Sequence, residues 1–515
     1  MRLRLVACSI LFALLPSGCR KPEAAPERPL RVVLGTELKT LDPQVAFDDV
    51  SGAVLENIFE GLVRFDKDLR VTAGLAARWV NPDETTWRFY LDPDARFSDG
   101  AALHASDVKF SIERLRSLSA SELAGFAHHV VEAKVVDDLT IDLRTDTPIA
   151  ILNSLAFIPI MSEAHVRAAG DKVGESPLGT GPYRLLRWVR GRSIELEVNE
   201  HYRPQPPIRR VEFVVAHGEK ALGEAVVRQR PDLTLFADRT RIADLRHQLP
   251  RGLRVREAEG LGVFYVLFNV RPAVAGSSTP NPLRDPRVRR ALAQATDLSE
   301  IIRDAIHGSG RAVGQLVAPQ VFGFDPTLEP ISFDLASARA TLAEAGQKPF
   351  EIAFLAERGQ PHSVEEALAR QWKALGVRVS LREVTAAEMT ADLDRGAFDA
   401  ALQGFSCTSG DASEILGFAL HSADPKRGFG VGNKGAFRHP EVDRIAEENL
   451  QVFNPRQRLN MLQRALKIVS EELPVLPLYA GTDVYIVSDA LEWDPPVTGL
   501  VRAADMSLSP ASSAP

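Results

Sequence analysis

The stretch WVNPDETTWRFYLDPDARFSDGAALHASDVKFSIERLR, residues 79–116, determines how the rest of the chain is interpreted. Apolar and polar side chains alternate along residues 86–91, which is the period of a half-buried strand. Ser98-Asp99-Gly100 is a turn-forming sequence, and Ser106 with Asp107 can cap a helix. The apolar positions are Trp87, Phe89 and Leu91 in the strand and Val108, Ile112 and Leu115 in the helix. The pattern predicts a strand, a tight turn and an amphipathic helix of an α/β protein.

The residue types in this stretch are more informative than their periodicity. They are Trp79, Asp83, Thr86, Trp87, Phe89, Leu91, Phe97, Ser98, Asp99, Gly100, Leu103, Ala105, Asp107, Val108, Phe110 and Ser111. In this order they resemble the signature of the family 5 extracellular solute-binding proteins, the periplasmic peptide- and nickel-binding components of ABC importers. The resemblance extends over residues 30–501, including the block Ser-Pro-Leu-Gly-Thr-Gly-Pro-Tyr at 176–183. A phosphate-binding loop is the competing interpretation of that block, but residues 183–189 read as a strand and not as the required helix.

The resemblance implies an α/β fold of the periplasmic-binding-protein type, with two hinged lobes and an extra domain. The expected divisions are lobe I at 30–55, 174–262 and 479–502, the extra domain at 56–173, and lobe II at 263–478. Chain crossings near 264–269 and 474–479 would form the hinge. Alternating helices and strands after residue 336 predict βαβ units and a largely parallel sheet. Residues 54–62 are predicted to form a short helix.

Both ends of the chain read as segments outside the folded body. Residues 1–19 have a charged start, a short apolar run and the sequence Leu-Pro-Ser-Gly-Cys, which is typical of a signal peptide and resembles a lipobox that ends at Cys19. Residues 20–29 are rich in Pro, Glu and Ala and would tether the body to a lipid anchor. A plain signal peptide is the alternative. Residues 503–515 are expected to be a disordered tail.

Composition excludes several classes of function. The chain has 515 residues and a net charge of −7, so no strongly basic surface is expected to attract a nucleic acid. The three cysteines, Cys8, Cys19 and Cys407, show no metal-ligand spacing. We therefore predict no metal site and no cofactor.

Two short motifs resemble enzyme signatures. Ser106-Asp107-Val108-Lys109 fits the nucleophile motif S-x-x-K, but the Lys-Thr-Gly sequence that this chemistry also needs is missing from the chain. Gly430 to Gly435 fits G-x-G-x-x-G, but Pro440 follows where a dinucleotide site needs a helix start. Neither motif predicts catalysis, and the protein is not expected to be an enzyme.

The resemblance also implies where a ligand binds. The loop that begins at Thr36 and Leu38 is expected to line the cleft. The family's cleft block corresponds to residues 404–411, which contribute Phe405, Thr408 and Asp411. The family's ammonium-binding aspartate falls on Thr408 here, so either Asp411 takes that role or the ligand has no free α-amine. Arg358 resembles the arginine that binds a ligand carboxylate in dipeptide-binding members.

The sequence therefore predicts an extracytoplasmic, monomeric solute-binding protein of an ABC transporter. The protein would close on a small solute, most readily a short peptide, and deliver that solute to a membrane permease. A lipid anchor would hold the protein at the membrane. The alternatives are a non-peptide solute, such as an opine, a metal chelate or an oligosaccharide, and a lipoprotein that signals to a membrane receptor.

Overall fold

The structure is a computed structural model that describes residues 28–46, 48–118, 121–149, 151–236, 248–347 and 349–509. Its strands are β1 (Leu30–Leu34), β2 (Val63–Phe65), β3 (Val71–Ala73), β4 (Ala76–Val80), β5 (Thr86–Leu91), β6 (Val130–Asp137), β7 (Thr140–Thr145), β8 (Tyr183–Val189), β9 (Ser193–Val198), β10 (Arg210–Val215), β11 (Leu233–Phe236), β12 (Leu253–Phe268), β13 (Gly310–Ala312), β14 (Glu351–Glu357), β15 (Arg378–Val384), β16 (Ala400–Ser406), β17 (Val475–Ser488), β18 (Leu491–Glu492) and β19 (Ser507–Leu508). The predicted signal peptide, the lipidation site Cys19 and residues 20–27 of the tether lie outside the described residues.

The α-helices of the described residues are α1 (Asp49–Leu55), α2 (Ala105–Ser117), α3 (Leu152–Leu155), α4 (Glu163–Ala169), α5 (Gly218–Gln229), α6 (Pro286–Gln294), α7 (Leu298–Glu300), α8 (Leu335–Glu344), α9 (Ser363–Lys373), α10 (Ala386–Arg395), α11 (Ser413–Ile415), α12 (Pro440–Glu448) and α13 (Pro455–Glu472). Several begin with a side-chain cap, although the helix expected to be capped by Ser106 and Asp107 has His104 as its N-cap residue. Asp334 caps α8 and Asn454 caps α13, each by accepting hydrogen bonds from two backbone amides of the first turn.

One mixed sheet passes through both lobes, in the order β15-β14-β16-β12-β17-β11-β1-β10-β9-β8. β1 is parallel to β10 and β11, and β14 is parallel to β15 and β16. The remaining neighbours on this path are antiparallel. The expectation of a largely parallel sheet is therefore wrong, because the two long central strands β12 and β17 run in opposite directions.

The paired strands β12 and β17 connect the two halves of the molecule. Residues 253–259 of β12 pair with 482–488 of β17, and residues 263–267 pair with 475–480. The register shifts between Glu259 and Val263, where Gly260 and Gly262 lie in β12. The predicted lobe boundary between residues 262 and 263 falls at this irregularity, and the predicted crossings lie just beyond it. Bulges of this kind bend a ladder locally.

The opening stretch of the sequence forms the centre of the extra domain. β5 pairs with β4 and β7 in a four-stranded antiparallel sheet of order β4-β5-β7-β6. Trp87, Phe89 and Leu91 are buried and the alternate residues are half-buried, as the period-2 pattern predicts. α2 packs its buried residues Val108, Ile112 and Leu115 into the same core. The predicted strand, turn and helix are confirmed.

The four-stranded sheet has a hydrophobic core of its own. The core of the extra domain is built from residues between Leu62 and Ile160. Ile58, Phe59 and Val173 instead belong to the core around β1, β9 and β10. The predicted extra domain, residues 56–173, is therefore wider than its core.

Two further sequence expectations need correction. Residues 503–509 are ordered, since β19 pairs with β18 and the side chains of Ala503 and Met506 are buried. The predicted disordered tail therefore starts too early, and residues 510–515 lie outside the described residues. The helix expected at 54–62 lies earlier, at Asp49–Leu55, because Asp48 caps it by accepting hydrogen bonds from the amides of Val50 and Ser51.

Candidate ligand-binding cleft

A cavity with about 1130 Å³ of empty space, part of it open to solvent, lies between lobe I, the extra domain and the edge of lobe II. Its walls combine apolar and charged side chains, as ligand sites commonly do. The lining residues are Pro43, Ala46, Asp48, Gly52, Leu55, Glu56, Phe59, Glu60, Gly61, Val63, Arg64, Gly74, Leu123, Ala156, Phe157, Pro159, Thr408, Thr498, Leu500 and Arg502. Thr408 is the lining residue that lobe II contributes.

The carboxyl end of α1 joins the C-terminal segment at one wall of the cavity. The fully buried Asn57 side chain donates a hydrogen bond to the Val501 carbonyl at 2.9 Å and accepts one from the Ala503 amide at 2.8 Å. These two bonds fix the backbone on both sides of Arg502. Glu56 and Arg502, which are far apart in sequence, therefore line the same cavity.

The Gly179-Thr180-Gly181 loop packs directly behind this wall. The Gly181 amide donates to the Ile58 carbonyl at 2.8 Å, and the Tyr183 amide donates to the Asn57 carbonyl at 2.9 Å. β8 begins at Tyr183, so the block is followed by the predicted strand and not by a helix. The glycines thus allow close backbone packing and do not form a phosphate-binding loop.

Two carboxyl groups of this wall are electrostatically unusual. Burial raises the pKa of Glu56, while the positive charge of Arg502 partly opposes that shift. Burial raises the pKa of Glu60 as well, and Arg502 and Arg64 oppose it. Both side chains keep part of their surface exposed to the cavity. Removal of water from a carboxylate disfavours its charged form, so these groups take up protons more readily than exposed glutamates.

The raised pKa values predict a stability effect. A group with a raised pKa in the folded state contributes stability at low pH, and this contribution is lost as the pH rises through that pKa. We therefore expect Glu56→Gln to melt at a temperature equal to or above that of the wild type at about pH 7.5, since glutamine cannot ionise. Thermal melts across the pH range above the ordinary glutamate pKa measure this effect. The exposed Glu84→Gln is the control, and a Glu56→Gln variant that melts well below it would contradict the prediction.

The lobe II side of the cleft is a short loop after β16. The backbone amide and hydroxyl of Ser409 both donate to Glu414, at 3.0 and 2.6 Å. Burial raises the pKa of Glu414, and these two hydrogen bonds oppose the shift. Asn153 of the extra domain donates to the Ser409 carbonyl at 2.7 Å. This hydrogen bond links the two sides of the cleft at one edge.

The prediction that Asp411 meets a ligand ammonium needs correction. Its carboxylate is buried and accepts two hydrogen bonds from Arg458, one of them at 2.8 Å, and a third from the Ser413 amide at 2.9 Å. Asp411 is also absent from the cavity lining. The carboxylate is therefore a structural ion-pair partner within lobe II, and no free oxygen faces the cleft.

The other predicted ligand residues differ in position. Leu38 is 2% exposed and packs in the core of lobe I, so its prediction as a ligand contact needs correction. Thr36 is exposed just beyond β1, and Arg358 is exposed just beyond β14. Phe405 is half-buried, with its ring 5.7 Å from that of Phe418. None of these four lines the cavity, whereas Thr408 does.

The sequence patterns did not single out Glu56, Glu60 or Arg502. Both glutamates occur within the block VLENIFEGL, for which the sequence predicts only a short helix. Because the helix ends at Leu55, the four-residue spacing of the two acids does not place them on one helix face. No local pattern marks Arg502, because its role depends on the hydrogen bonds of Asn57.

The described ranges lack two kinds of feature. No group of three or more His, Cys, Asp or Glu side chains there could hold a metal ion. Likewise, no helix in that part of the chain has both the length and the apolar character to cross a membrane.

Comparison with known proteins places the chain among binding proteins. It is 27% identical over 481 residues to the probable D,D-dipeptide-binding periplasmic protein DdpA of Escherichia coli, covering 88% of this chain and 89% of that protein. It is 25% identical over 499 residues to the periplasmic murein peptide-binding protein MppA of E. coli, covering 89% of each. The solved structure of HbpA2 from Haemophilus parasuis shares the fold, with a TM-score of 0.80 at 21% identity over 94% of this chain and all of that one.

The family model supports the same assignment over most of the chain. Residues 70–426 match the family described as bacterial extracellular solute-binding proteins, family 5 Middle. That range includes the stretch from Trp79 to Arg116, on which the resemblance was first based. The mixed two-lobed α/β architecture is the same in the solved structures. The chain belongs to the family 5 bacterial extracellular solute-binding proteins.

Proposed function

We propose that the protein captures a short peptide outside the cytoplasm and delivers it to the membrane permease of an ABC importer. The observation that carries this proposal is the cavity between the lobes, which residues from both sides line. A ligand there touches both lobes only when they approach one another, so its binding free energy favours the closed form.

The two central strands supply a suitable hinge for this closure. The register shift of β12 includes Gly260 and Gly262, and Gly481 lies in the corresponding interval of β17. Glycines and a bulge allow a change in backbone angles that a regular ladder resists. In the proposed division at 262/263, the residues of β12 before the shift would belong to lobe I and those after it to lobe II.

A peptide is the ligand class that the cavity and the relatives favour together. The curated relatives are named for binding a D,D-dipeptide and murein peptides. The cavity offers apolar walls at Phe59, Phe157 and Leu500 for side chains, and charged groups for polar ends. Such a site can accept different side chains while it recognises features that all peptides share.

We propose the location of the protein from the residue pattern at 1–19. Residues 1–19 would direct export, and Cys19 would carry a lipid that holds the monomer at the membrane. Mass spectrometry of the purified membrane fraction tests this proposal. The Cys19→Ala variant should carry no acyl chain and should be released from the membrane.

Binding of defined peptides to ligand-free protein tests the function. Protein is unfolded, dialysed and refolded, and di- to pentapeptides are then titrated by calorimetry and native mass spectrometry. We expect one peptide per chain and a smaller radius of gyration in X-ray scattering upon binding. Absence of binding by every peptide length would overturn the proposal.

Arg358 is proposed to meet the peptide's carboxylate. Its side chain is exposed, and the guanidinium donates a long hydrogen bond of 3.5 Å to the Glu383 carbonyl. We therefore expect Arg358→Ala to leave the melting temperature unchanged but to weaken peptide binding by roughly tenfold. Calorimetry with a free-acid peptide and its C-terminal amide measures this. Equal losses for the two peptides would contradict the carboxylate contact.

A further inference from the structure

The charged groups of the cavity wall do not balance. The wall contains three acidic side chains, Asp48, Glu56 and Glu60, and two basic ones, Arg64 and Arg502. It therefore has one negative charge in excess when all five are ionised. From this wall we infer that Glu56 and Glu60 receive an ammonium group of the ligand, and that Arg502 receives the carbonyl oxygen beside that ammonium. The inference rests on the proposed function and deepens it, because it names the amino end of a peptide as the group bound at lobe I.

The other carboxylates near the cleft already have partners. Asp48 caps α1 and accepts a further hydrogen bond from the Ser51 hydroxyl at 2.7 Å. Glu414 accepts from Ser409, and Asp411 from Arg458. Among the described residues the Glu56 side chain has neither a hydrogen bond nor a direct ion pair. The Glu56 carboxylate is therefore a free acceptor on the cavity wall.

Unused polar atoms lie beside the two glutamates. Nε of Arg502 is buried and donates no hydrogen bond to any described residue. Thr180 is 2% exposed. Its hydroxyl lies close enough to Glu60 to favour the ionised form of that carboxyl group. The hydroxyl nevertheless makes no hydrogen bond of normal geometry. Buried polar atoms without partners are uncommon in folded proteins. The free carboxylate of Glu56 and the free Nε of Arg502 fit a ligand group that both donates and accepts, as an ammonium next to a carbonyl does.

Ligand binding would then be linked to protonation. The charged or titratable groups around the two acids are Arg502, Arg64, Tyr202 and, beyond Arg502, Asp505. Burial raises the pKa of both glutamates and so favours their protonated form, whereas an arriving ammonium favours ionisation. We expect proton release upon binding and weaker binding as the pH falls toward the ordinary glutamate range.

The experiment compares matched probes with and without a free amine. The affinity of trialanine is compared with that of N-acetyl-trialanine, which has no free amine. The affinity of alaninamide is compared with that of propionamide. Alaninamide has the ammonium and the carbonyl but is not a peptide. Binding is followed by calorimetry in two buffers of different ionisation enthalpy, and by ligand-observed NMR for the weak small probes. The variants are Glu56→Gln and Glu60→Gln, with the exposed Glu84→Gln as control.

We expect the wild type and Glu84→Gln to bind each free amine with roughly tenfold or more higher affinity than its matched probe without an amine. Glu56→Gln and Glu60→Gln should each lose most of that preference. Equal binding of free and acetylated trialanine would overturn the inference while the peptide-binding function stands. A preference for alaninamide without binding of any peptide would support the inference and overturn the function. Absence of binding by all four probes would overturn both.

Discussion

Replacing Asp411 by alanine is expected to destabilise lobe II by about 3–5 kcal/mol, because it leaves the guanidinium of Arg458 buried without its carboxylate. The Arg458 side chain is 13% exposed and that of Asp411 is 11% exposed, so water cannot readily replace the missing partner. The substitution also removes the acceptor for the Ser413 amide at the start of α11. Urea denaturation followed by circular dichroism measures the loss as a lower midpoint.

The same helix supplies a matched control for this prediction. Arg464 of α13 pairs with Glu441, but their side chains are 51% and 36% exposed. We expect Glu441→Ala to change stability by less than about 1 kcal/mol, because exposed ion pairs contribute little. The double variant Asp411→Ala/Arg458→Ala should recover part of the loss, since no unpaired charge then remains. Equal midpoints for Asp411→Ala and Glu441→Ala would contradict the structural role of Asp411.

Replacing Gly179 by alanine is expected to prevent stable folding of lobe I. The added Cβ would lie 2.0 Å from the Ile58 carbonyl oxygen, and no side-chain rotation can relieve an overlap with backbone. Overpacking of this kind costs about 3 kcal/mol or more. The loop would have to move away from residues 57–58, which would break the hydrogen bond from the Gly181 amide to the Ile58 carbonyl. The yield of soluble protein and its melting temperature measure the effect.

Gly223 of α5 provides the opposite case in the same lobe. A Cβ at this position meets no atom within 4 Å. We expect Gly223→Ala to stabilise the protein by about 0.5–1 kcal/mol, because alanine favours the helix and restricts the unfolded chain. A Gly179→Ala variant that folds as well as Gly223→Ala would show that the loop tolerates a side chain.

Local patterns predicted local structure well in this chain. Alternation at Trp87, Phe89 and Leu91 gave the correct strand, because a sheet with one buried face requires that period. The block at 176–183 predicted a loop followed by a strand, and β8 begins at Tyr183. Boundaries were predicted less well. The helix expected at 54–62 ends at Leu55, since the capping residue Asp48 starts it earlier.

The sequence by itself determined the family, the fold class and the position of the strand and helix at residues 86–117, because these depend on neighbours within a few positions. Only the tertiary structure decided which charged groups face the cleft. Asp411 looked free in sequence, but Arg458, 47 positions away, occupies its carboxylate. Arg502 gave no local signal, yet Asn57 holds the backbone beside it across a separation of 444 residues. Burial and partners acquired at such distances determine whether a charge can bind a ligand, and no local pattern records them.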